Sequence, residues 1–193
     1  MRSRFAAALV VATLPLALVA AATADDRTTT VTVRDAVGDV WATPVGGDAF
    51  EPAPNQRAGD VLAMRVTHRA RTVVVRLRFA ELASTGSASY ELDLRLPDRR
   101  VSAQVATDRR SPMGRHALWA GSGERIRCSG MSHLVDEDRD VVVVRVPRTC
   151  LGAPAWVRVR NYDLRERAGT LFTDNPHNRE AHADRWSALA YRA

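Results

Sequence analysis

Two aspartates flank a glycine early in the chain, at Asp35 and Asp39 in the stretch RDAVGDVW. A second Gly-Asp pair, which ends in Asp60, precedes the next apolar run. Calcium in proteins takes about six to eight oxygen ligands, several of them carboxylates, from flexible loops. We therefore predict a structural calcium site on Asp35, Asp39 and Asp60, with Asp48 or Glu51 as a further donor. The alternative is a plain turn in which Asp35 accepts hydrogen bonds from nearby backbone amides.

Two other acidic stretches carry candidate metal ligands. DEDRD (136–140) starts like a calcium loop, but Val141 stands where that loop needs glycine, and the terminal glutamate is missing. Because it lies between two apolar runs, we interpret it as a hairpin tip. TDNPHNREAHADRW (173–186) matches no zinc spacing, and a polar surface loop is the favoured interpretation. Its potential zinc ligands are Asp174, His177, Glu180, His182 and Asp184.

Arginine and tryptophan alternate with apolar residues in several predicted strands. If Val157 and Val159 face the core, their neighbours face outward, and the outer register of the stretch TVVVRLRF also carries arginines. Tryptophan rings and forked guanidinium donors suit a sugar or an anionic wall polymer. The alternative is pairing of these arginines with Glu91 and Asp93 on a neighbouring strand. The predicted ligand face consists of Trp156, Arg158, Arg160, Arg76 and Arg78.

The sequence favours binding over catalysis. Ser122 lies in WAGSGE, which is not the G-x-S-x-G nucleophile motif, and neither a P-loop nor H-E-x-x-H occurs. We therefore predict no enzymatic activity and assign no catalytic residue, with a hydrolase as the weakest alternative.

The first 24 residues indicate export. Arg2 and Arg4 precede a short apolar stretch that ends in Ala-Thr-Ala, the pattern of a secretory signal peptide cut before Asp25. No later run has the ~20 apolar residues of a membrane span, so no transmembrane anchor is expected after cleavage. Residues 25–193 have the length of one domain, which we expect to be secreted or held at the cell envelope.

The cysteines and the charge agree with export. Cys128 and Cys150 are the two cysteines of the chain, and in an exported protein we predict that they form one disulfide. All 28 basic residues are arginine and the net charge is +6. The arginines form no basic block and an exported protein rarely meets nucleic acid, so no nucleic-acid partner is predicted.

Two-residue alternation dominates the chain and predicts its fold. Stretches such as ASYELDLRLP (88–97) place apolar residues on one side and polar residues on the other. Turn signals recur about every 8–12 residues, which favours an all-β, antiparallel β-sandwich of jelly-roll or immunoglobulin-like type. An up-and-down barrel is the second choice. Long loops are expected at 42–58 and 163–184.

The chain resembles a group of uncharacterised small secreted β-sandwich proteins of actinobacteria. The residues that carry the resemblance are the D-x-x-G-D of Asp35, Gly38 and Asp39, and the segment VRVPRTCLGAPAWVRV (144–159) with its Cys150. More remotely, the strand pattern is similar to the jelly rolls of DOMON and family-nine carbohydrate-binding modules. That resemblance implies binding rather than catalysis, together with structural calcium.

The expected function is therefore a non-catalytic binding or envelope-associated module for a glycan or anionic wall polymer. The alternative is a structural or protein-interaction domain without a small ligand.

Overall fold

The computed structural model describes residues 28–82, 86–176 and 185–193. The predicted signal peptide, residues 1–24, lies outside the described residues. In chain order the described strands are β1 (Thr30–Arg34), β2 (Trp41–Pro44), β3 (Glu51–Pro52), β4 (Val61–His68), β5 (Thr72–Phe79), β6 (Ser87–Arg95), β7 (Arg100–Asp108), β8 (Ser111–Ala120), β9 (Arg125–Ile126), β10 (Ser132–Asp136), β11 (Val141–Pro147), β12 (Trp156–Arg167), β13 (Thr170–Asp174) and β14 (Ala190–Tyr191). One turn of 3-10 helix follows β11 at Arg148–Leu151.

The strands form two sheets. The first has five strands in the order β1-β4-β5-β11-β10, and the second runs β3-β2-β13-β12-β6-β7-β8-β9, with β14 added to β12. Every pairing between these strands is antiparallel. The two sheets pack face to face, which confirms the predicted antiparallel β-sandwich.

Alternation along the strands builds the core. In β5 the buried residues Val73, Val75, Leu77 and Phe79 alternate with more exposed ones, and β6, β7 and β12 follow the same rule. Phe79 of the five-stranded sheet meets Tyr90 of the other sheet edge-on, with ring centroids 5.6 Å apart. Burial of these apolar rows from water provides the main favourable free energy of the sandwich.

The predicted disulfide is confirmed. Cys128, ahead of β10, is bonded to Cys150 in the 3-10 turn, with their Cα atoms 5.5 Å apart. Both half-cystines pack against the hydrophobic core. In the parts of the chain that the structure describes, no helix has the length and apolarity of a membrane span.

The two predicted loops contain strands, so these predictions are wrong in part. The segment 42–58 includes most of β2 and all of β3. The segment 163–184 begins inside β12 and continues through β13 to Asp174, while 177–184 lies outside the described residues. Both were missed because their residues are polar or turn-forming, including the two prolines that end β2 and β3.

Candidate functional site

The Asp35–Asp39 turn carries the chain from one sheet to the other, because β1 belongs to the five-stranded sheet and β2 to the nine-stranded one. Gly38 has a φ of +80°, the left-handed region that favours glycine. A Cβ atom at Gly38 would lie 2.7 Å from the carbonyl oxygen of Pro54, so a side chain does not fit there. The turn is thereby fixed by the backbone, and it presents Asp35 and Asp39 at the end of the sandwich.

Asp174, the last residue of β13, joins the two aspartates of the turn. One carboxylate oxygen from each of Asp35, Asp39 and Asp174 lies within 4.8 Å of the others. Two ligands on opposite sides of a calcium ion, each at about 2.4 Å, would be separated by about the same distance. The three carboxylates therefore fall within the span of one calcium coordination sphere.

Asp60, just before β4, is fully buried beside this group. Its Oδ2 accepts a 2.9 Å hydrogen bond from the backbone N–H of Gly38, inside the turn. Its buried Oδ1 has no hydrogen-bond partner among the described residues. A buried carboxylate oxygen without a donor is costly, and a cation at this position would remove that cost.

Asp163 lies behind Asp174 as its direct cross-strand partner. Its Oδ1 accepts a 3.0 Å hydrogen bond from the Asp174 backbone N–H, while Asp174 itself accepts from the N–H groups of Val61 and Asn175 at 2.6 and 2.7 Å. These bonds hold the Asp174 carboxylate toward the turn. We call the set Asp35, Asp39, Asp60, Asp163 and Asp174 the aspartate cluster.

The cluster is electrostatically strained. Burial, reinforced by the charges of Asp174 and Asp39, raises the pKa of Asp35 to about 8. Burial also raises the pKa of Asp174 to about 7, against the opposing effect of its backbone hydrogen bonds, and it raises the pKa of Asp60. Carboxylates that repel one another and lack solvent gain most from a shared cation.

Two arginines act on the cluster from its margins. The charge of Arg57 lowers the pKa of Asp60, but it is the smallest of the effects on that pKa. The charge of Arg165 lowers the pKa of the buried Asp163, whereas burial and the charge of Asp174 raise it more strongly. Among the described residues, neither arginine forms an ion pair with Asp35, Asp60 or Asp174. The negative charge at the centre of the cluster is therefore only partly compensated.

The structure thus brings two of the three predicted ligands, Asp35 and Asp39, together with Asp174. Asp60, the third, lies beside them and is bonded to their turn through the Gly38 N–H, and Asp163 supports Asp174 from the neighbouring strand. Asp174 was noted in the sequence only as a candidate zinc ligand. Its predicted companions His177, Glu180, His182 and Asp184 lie outside the described residues.

The other candidate donors are placed elsewhere. Asp48 and Glu51 are exposed and are not among the carboxylates that meet at the cluster. DEDRD forms the predicted turn between β10 and β11, where Asp136 pairs with Arg139 at 3.0 Å. In the same turn, Asp140 accepts a hydrogen bond from the Leu82 N–H at 2.7 Å.

The five residues of the predicted ligand face are divided between the two sheets. Arg76 and Arg78 lie on the outer face of β5, whereas Trp156, Arg158 and Arg160 lie on the outer face of β12. Outer faces of a two-layer sandwich point in opposite directions, so one ligand cannot contact all five. The prediction of a single face from these residues is wrong, because strand alternation reports which side of a sheet a residue is on but not which sheet.

On β12 the arginines have internal partners. Arg160 donates to Asp93 at 2.7 Å, which is the cross-strand pairing considered as the alternative, and Arg158 donates to the carbonyl oxygen of Ser187 at 2.7 Å. Arg160 also lies over the ring of Trp186, 5.0 Å from its centroid. The ring that Arg160 contacts is therefore that of Trp186, which was not among the predicted ligand-face residues.

On the five-stranded sheet five exposed arginines share one outer face. They are Arg34 of β1, Arg65 of β4, Arg76 and Arg78 of β5, and Arg145 of β11. None of the five has an ion pair or a side-chain hydrogen bond with another described residue. We call this set the arginine face.

Comparison with protein-family models, with curated proteins and with solved structures finds no match to this chain. The aspartate cluster and the arginine face are therefore the two features of the structure that bear on its function.

Proposed function

We propose that this chain is an exported, non-catalytic β-sandwich binding module that carries a calcium ion at the aspartate cluster. Export is the expectation from residues 1–24, and the Cys128–Cys150 disulfide is compatible with an extracellular protein. The calcium ion would join the β1–β2 turn, the start of β4 and the end of β13. It would thereby stabilise the end of the sandwich where the chain passes between the sheets.

The observation that carries the calcium proposal is the position of Asp60. This carboxylate is fully buried, one of its oxygens has no donor, and the other is bonded to the turn that holds Asp35 and Asp39. Folding has thus buried a carboxylate oxygen without a donor beside the turn whose two aspartates converge with Asp174. A cation would stabilise this arrangement, whereas burial alone destabilises it.

The donor set favours calcium over other metals. All the ligand atoms are carboxylate oxygens, which suit hard cations, whereas zinc and copper sites usually include imidazole or thiolate. Magnesium needs near-ideal octahedral geometry and usually keeps several waters, so a buried, multi-carboxylate group is better suited to the larger ion.

Calorimetric titration of the metal-free protein with CaCl₂ tests this proposal. We expect one site, with a Kd of about 10⁻⁴–10⁻³ M, as in extracellular calcium modules. Asp60→Asn, which keeps an acceptor for Gly38, should weaken binding at least tenfold. The control is Asp98→Asn, at a carboxylate that is 69% exposed and outside the cluster, and it should leave binding unchanged. Wild-type protein that takes up no calcium would disprove the proposal.

The partner class that we propose is an anionic polymer of the cell wall. The specific observation in its favour is the arginine face, whose positive charge has no acidic partner among the residues that the structure describes. The alternative, a protein-interaction domain without such a ligand, is favoured if the arginine face binds an acidic protein in preference to the polymer. Mixing the module with insoluble cell-wall material and measuring the bound fraction before and after removal of the anionic polymers distinguishes the two.

A further inference from the structure

The arginine face has a regular geometry set by strand register. Arg65 and Arg76 are direct cross-strand neighbours on β4 and β5, so their Cβ atoms are about 5 Å apart. Arg78 is two residues further along β5, which places it about 7 Å from Arg76 on the same side. Arg34 and Arg145 lie in the same outer register on strands at either side. The result is an array of positive charges across four neighbouring strands.

Among the described strand residues, the outer register of this face carries almost no negative charge. The acid in register with it is Asp136 of β10, opposite Val141, and it is already bound by Arg139 at 3.0 Å. The outer face of the other sheet differs, because there Arg160 is neutralised by Asp93 at 2.7 Å. Among the described residues, the outer face of the nine-stranded sheet thus has a strand arginine paired with an acid, although Arg95 also lies opposite Arg100 and Arg158 there. No arginine of the arginine face is paired with a described acid.

Direct opposition of Arg65 and Arg76 is unfavourable in the isolated protein, since like charges on neighbouring strands repel. A bound polyanion would offset this repulsion, because its negative charges would attract several of the arginines at the same time. Guanidinium groups form paired hydrogen bonds with the oxygens of a phosphate, which Lys cannot match in geometry. The array thus has both the charge and the donor geometry for a chain of phosphates.

The remaining residues of the face argue against nucleic acid as the partner. Single-stranded nucleic acids bind through aromatic side chains that stack on the bases, in addition to a basic surface. In the outer register of the described strands, the neighbours of these arginines are small, aliphatic or hydroxyl-bearing: Thr30, Thr32, Ala63, Thr67, Val74, Ser132, Leu134, Val141 and Val143. Such a surface has hydroxyls for a sugar or polyol but no ring for a base.

We propose that the arginine face binds a sugar-phosphate or polyol-phosphate polymer whose phosphates repeat at about the 7 Å spacing of alternate strand residues. This inference rests on the proposed binding function and names its surface and the chemistry of its partner. The polymer lies across β4, β5 and β11, and Arg65, Arg76, Arg78 and Arg145 each contact a phosphate. Binding is independent of the aspartate cluster, whose carboxylates face away from this surface into the end of the sandwich.

The experiment measures fluorescence anisotropy of labelled poly(glycerol phosphate) with the full mature chain. About four phosphate contacts predict that affinity falls about 50-fold between 50 and 200 mM salt. The double variant Arg76→Gln, Arg78→Gln removes two contacts and should bind at least tenfold more weakly at 50 mM salt, with a shallower salt dependence. Its melting temperature should not fall, because the substitutions relieve the repulsion between Arg65 and Arg76.

The matched control is Arg95→Gln, Arg110→Gln, which removes the same charge from exposed positions on β6 of the other sheet and in the turn between β7 and β8. Unchanged affinity in this control supports the proposal, and an equal loss in both double variants overturns it in favour of general charge attraction. Tighter binding of a single-stranded oligonucleotide with the same number of phosphates also overturns it. Asp60→Asn separates the two sites, because it should lose calcium binding and keep polymer binding. Wild-type protein that binds the polymer but takes up no calcium contradicts only the calcium proposal, whereas wild-type protein that takes up calcium but does not bind the polymer contradicts only this one.

Discussion

Replacing Asp35 by asparagine should stabilise the metal-free protein at alkaline pH. Asp35 Oδ1 accepts a 2.9 Å hydrogen bond from the Ala36 N–H, and its Oδ2 is buried without a partner among the described residues. Asparagine has the same shape, keeps the acceptor and places an amide N–H₂ where the second oxygen was. The substitution therefore changes the charge of the cluster and little else.

The pKa of Asp35 sets the size of the effect. Burial first, and then the charges of Asp174 and Asp39, raise this pKa from 3.8 to about 8. Because the folded state binds the proton more tightly, the stability that protonated Asp35 contributes is lost as pH rises from about 4 to about 8. At about 1.4 kcal/mol per pKa unit the upper bound is about 6 kcal/mol, and solvent screening of this partly exposed group reduces it to about 3 kcal/mol.

The melting temperatures of Asp35→Asn and the wild type are compared by thermal unfolding in the presence of a chelator. At pH 8.5 Asp35→Asn should melt about 6–12 °C above the wild type, and at pH 5 the gap should shrink to about a quarter of that. Calcium at 5 mM adds about 1–2 kcal/mol to the wild type if the Kd is about 10⁻⁴–10⁻³ M, and little to the variant. Calcium should therefore reduce the difference in melting temperature between Asp35→Asn and the wild type.

Two results would refute this reasoning. If the variant melts below the wild type in chelator at pH 8.5, the Asp35 charge stabilises the fold and the cluster is not strained as described. If the gap is the same with and without calcium, Asp35 is not a ligand. The control Asp98→Asn, at an exposed carboxylate, should change the melting temperature in neither condition.

Three further predictions concern the fold. Replacing both Cys128 and Cys150 by serine opens a loop with a sequence separation of 22 and should reduce the unfolding free energy by about 3 kcal/mol in guanidinium titrations; equal midpoints would contradict this. Burial lowers the pKa of His68, so the stability that its neutral ring provides is present above pH 6.5 and is lost at lower pH. In urea titrations the unfolding midpoint of His68→Gln should therefore change less between pH 7.5 and pH 5 than that of the wild type. Gly38→Ala, with a φ of +80° and a carbonyl oxygen 2.7 Å from the new Cβ, should melt well below Gly46→Ala, whose φ is +83° but whose Cβ meets nothing within 4 Å. Equal melting temperatures of the two alanine variants would show that the close approach at Gly38 is not restrictive.

Strand alternation predicted the sandwich because most strands bury apolar residues on one side. The strand prediction failed within β12, at the point where its inward-facing residues change from apolar to polar. Up to Val159 its inward residues are apolar, but the next three inward positions are Asn161, Asp163 and Arg165, all buried and polar. With polar residues at the inward positions the apolar alternation is lost, and so the stretch was predicted as part of the loop 163–184. The local rule fails where the inward side chains belong to the aspartate cluster, as is expected at functional sites.

The sequence predicted only those residues of the candidate site that lie close together along the chain. Asp35, Asp39 and Gly38 form one turn, whose letters indicate both the bend and the ligands. Asp174 reaches the same point only because β13 pairs with both β12 and β2, a register that no short motif encodes. The arginine face has the same limit: alternation identified its residues as outward-facing, but the choice of sheet depends on the global strand order.

The end of β1 contributes one residue to the arginine face and the next residue to the aspartate cluster. Arg34 and Asp35 are adjacent, and adjacent side chains of an extended segment point to opposite sides. In the register of β1 with β4, Arg34 is opposite Ala63 on the outer face, beside Arg78 of the next strand. Asp35 then turns to the other side, toward the aspartate cluster. The same alternation that buries the core thus separates the charges, with acids gathered at the end of the sandwich and arginines on one face that have no described acidic partner. This separation would allow the proposed cation site and the proposed polyanion site to coexist in one domain.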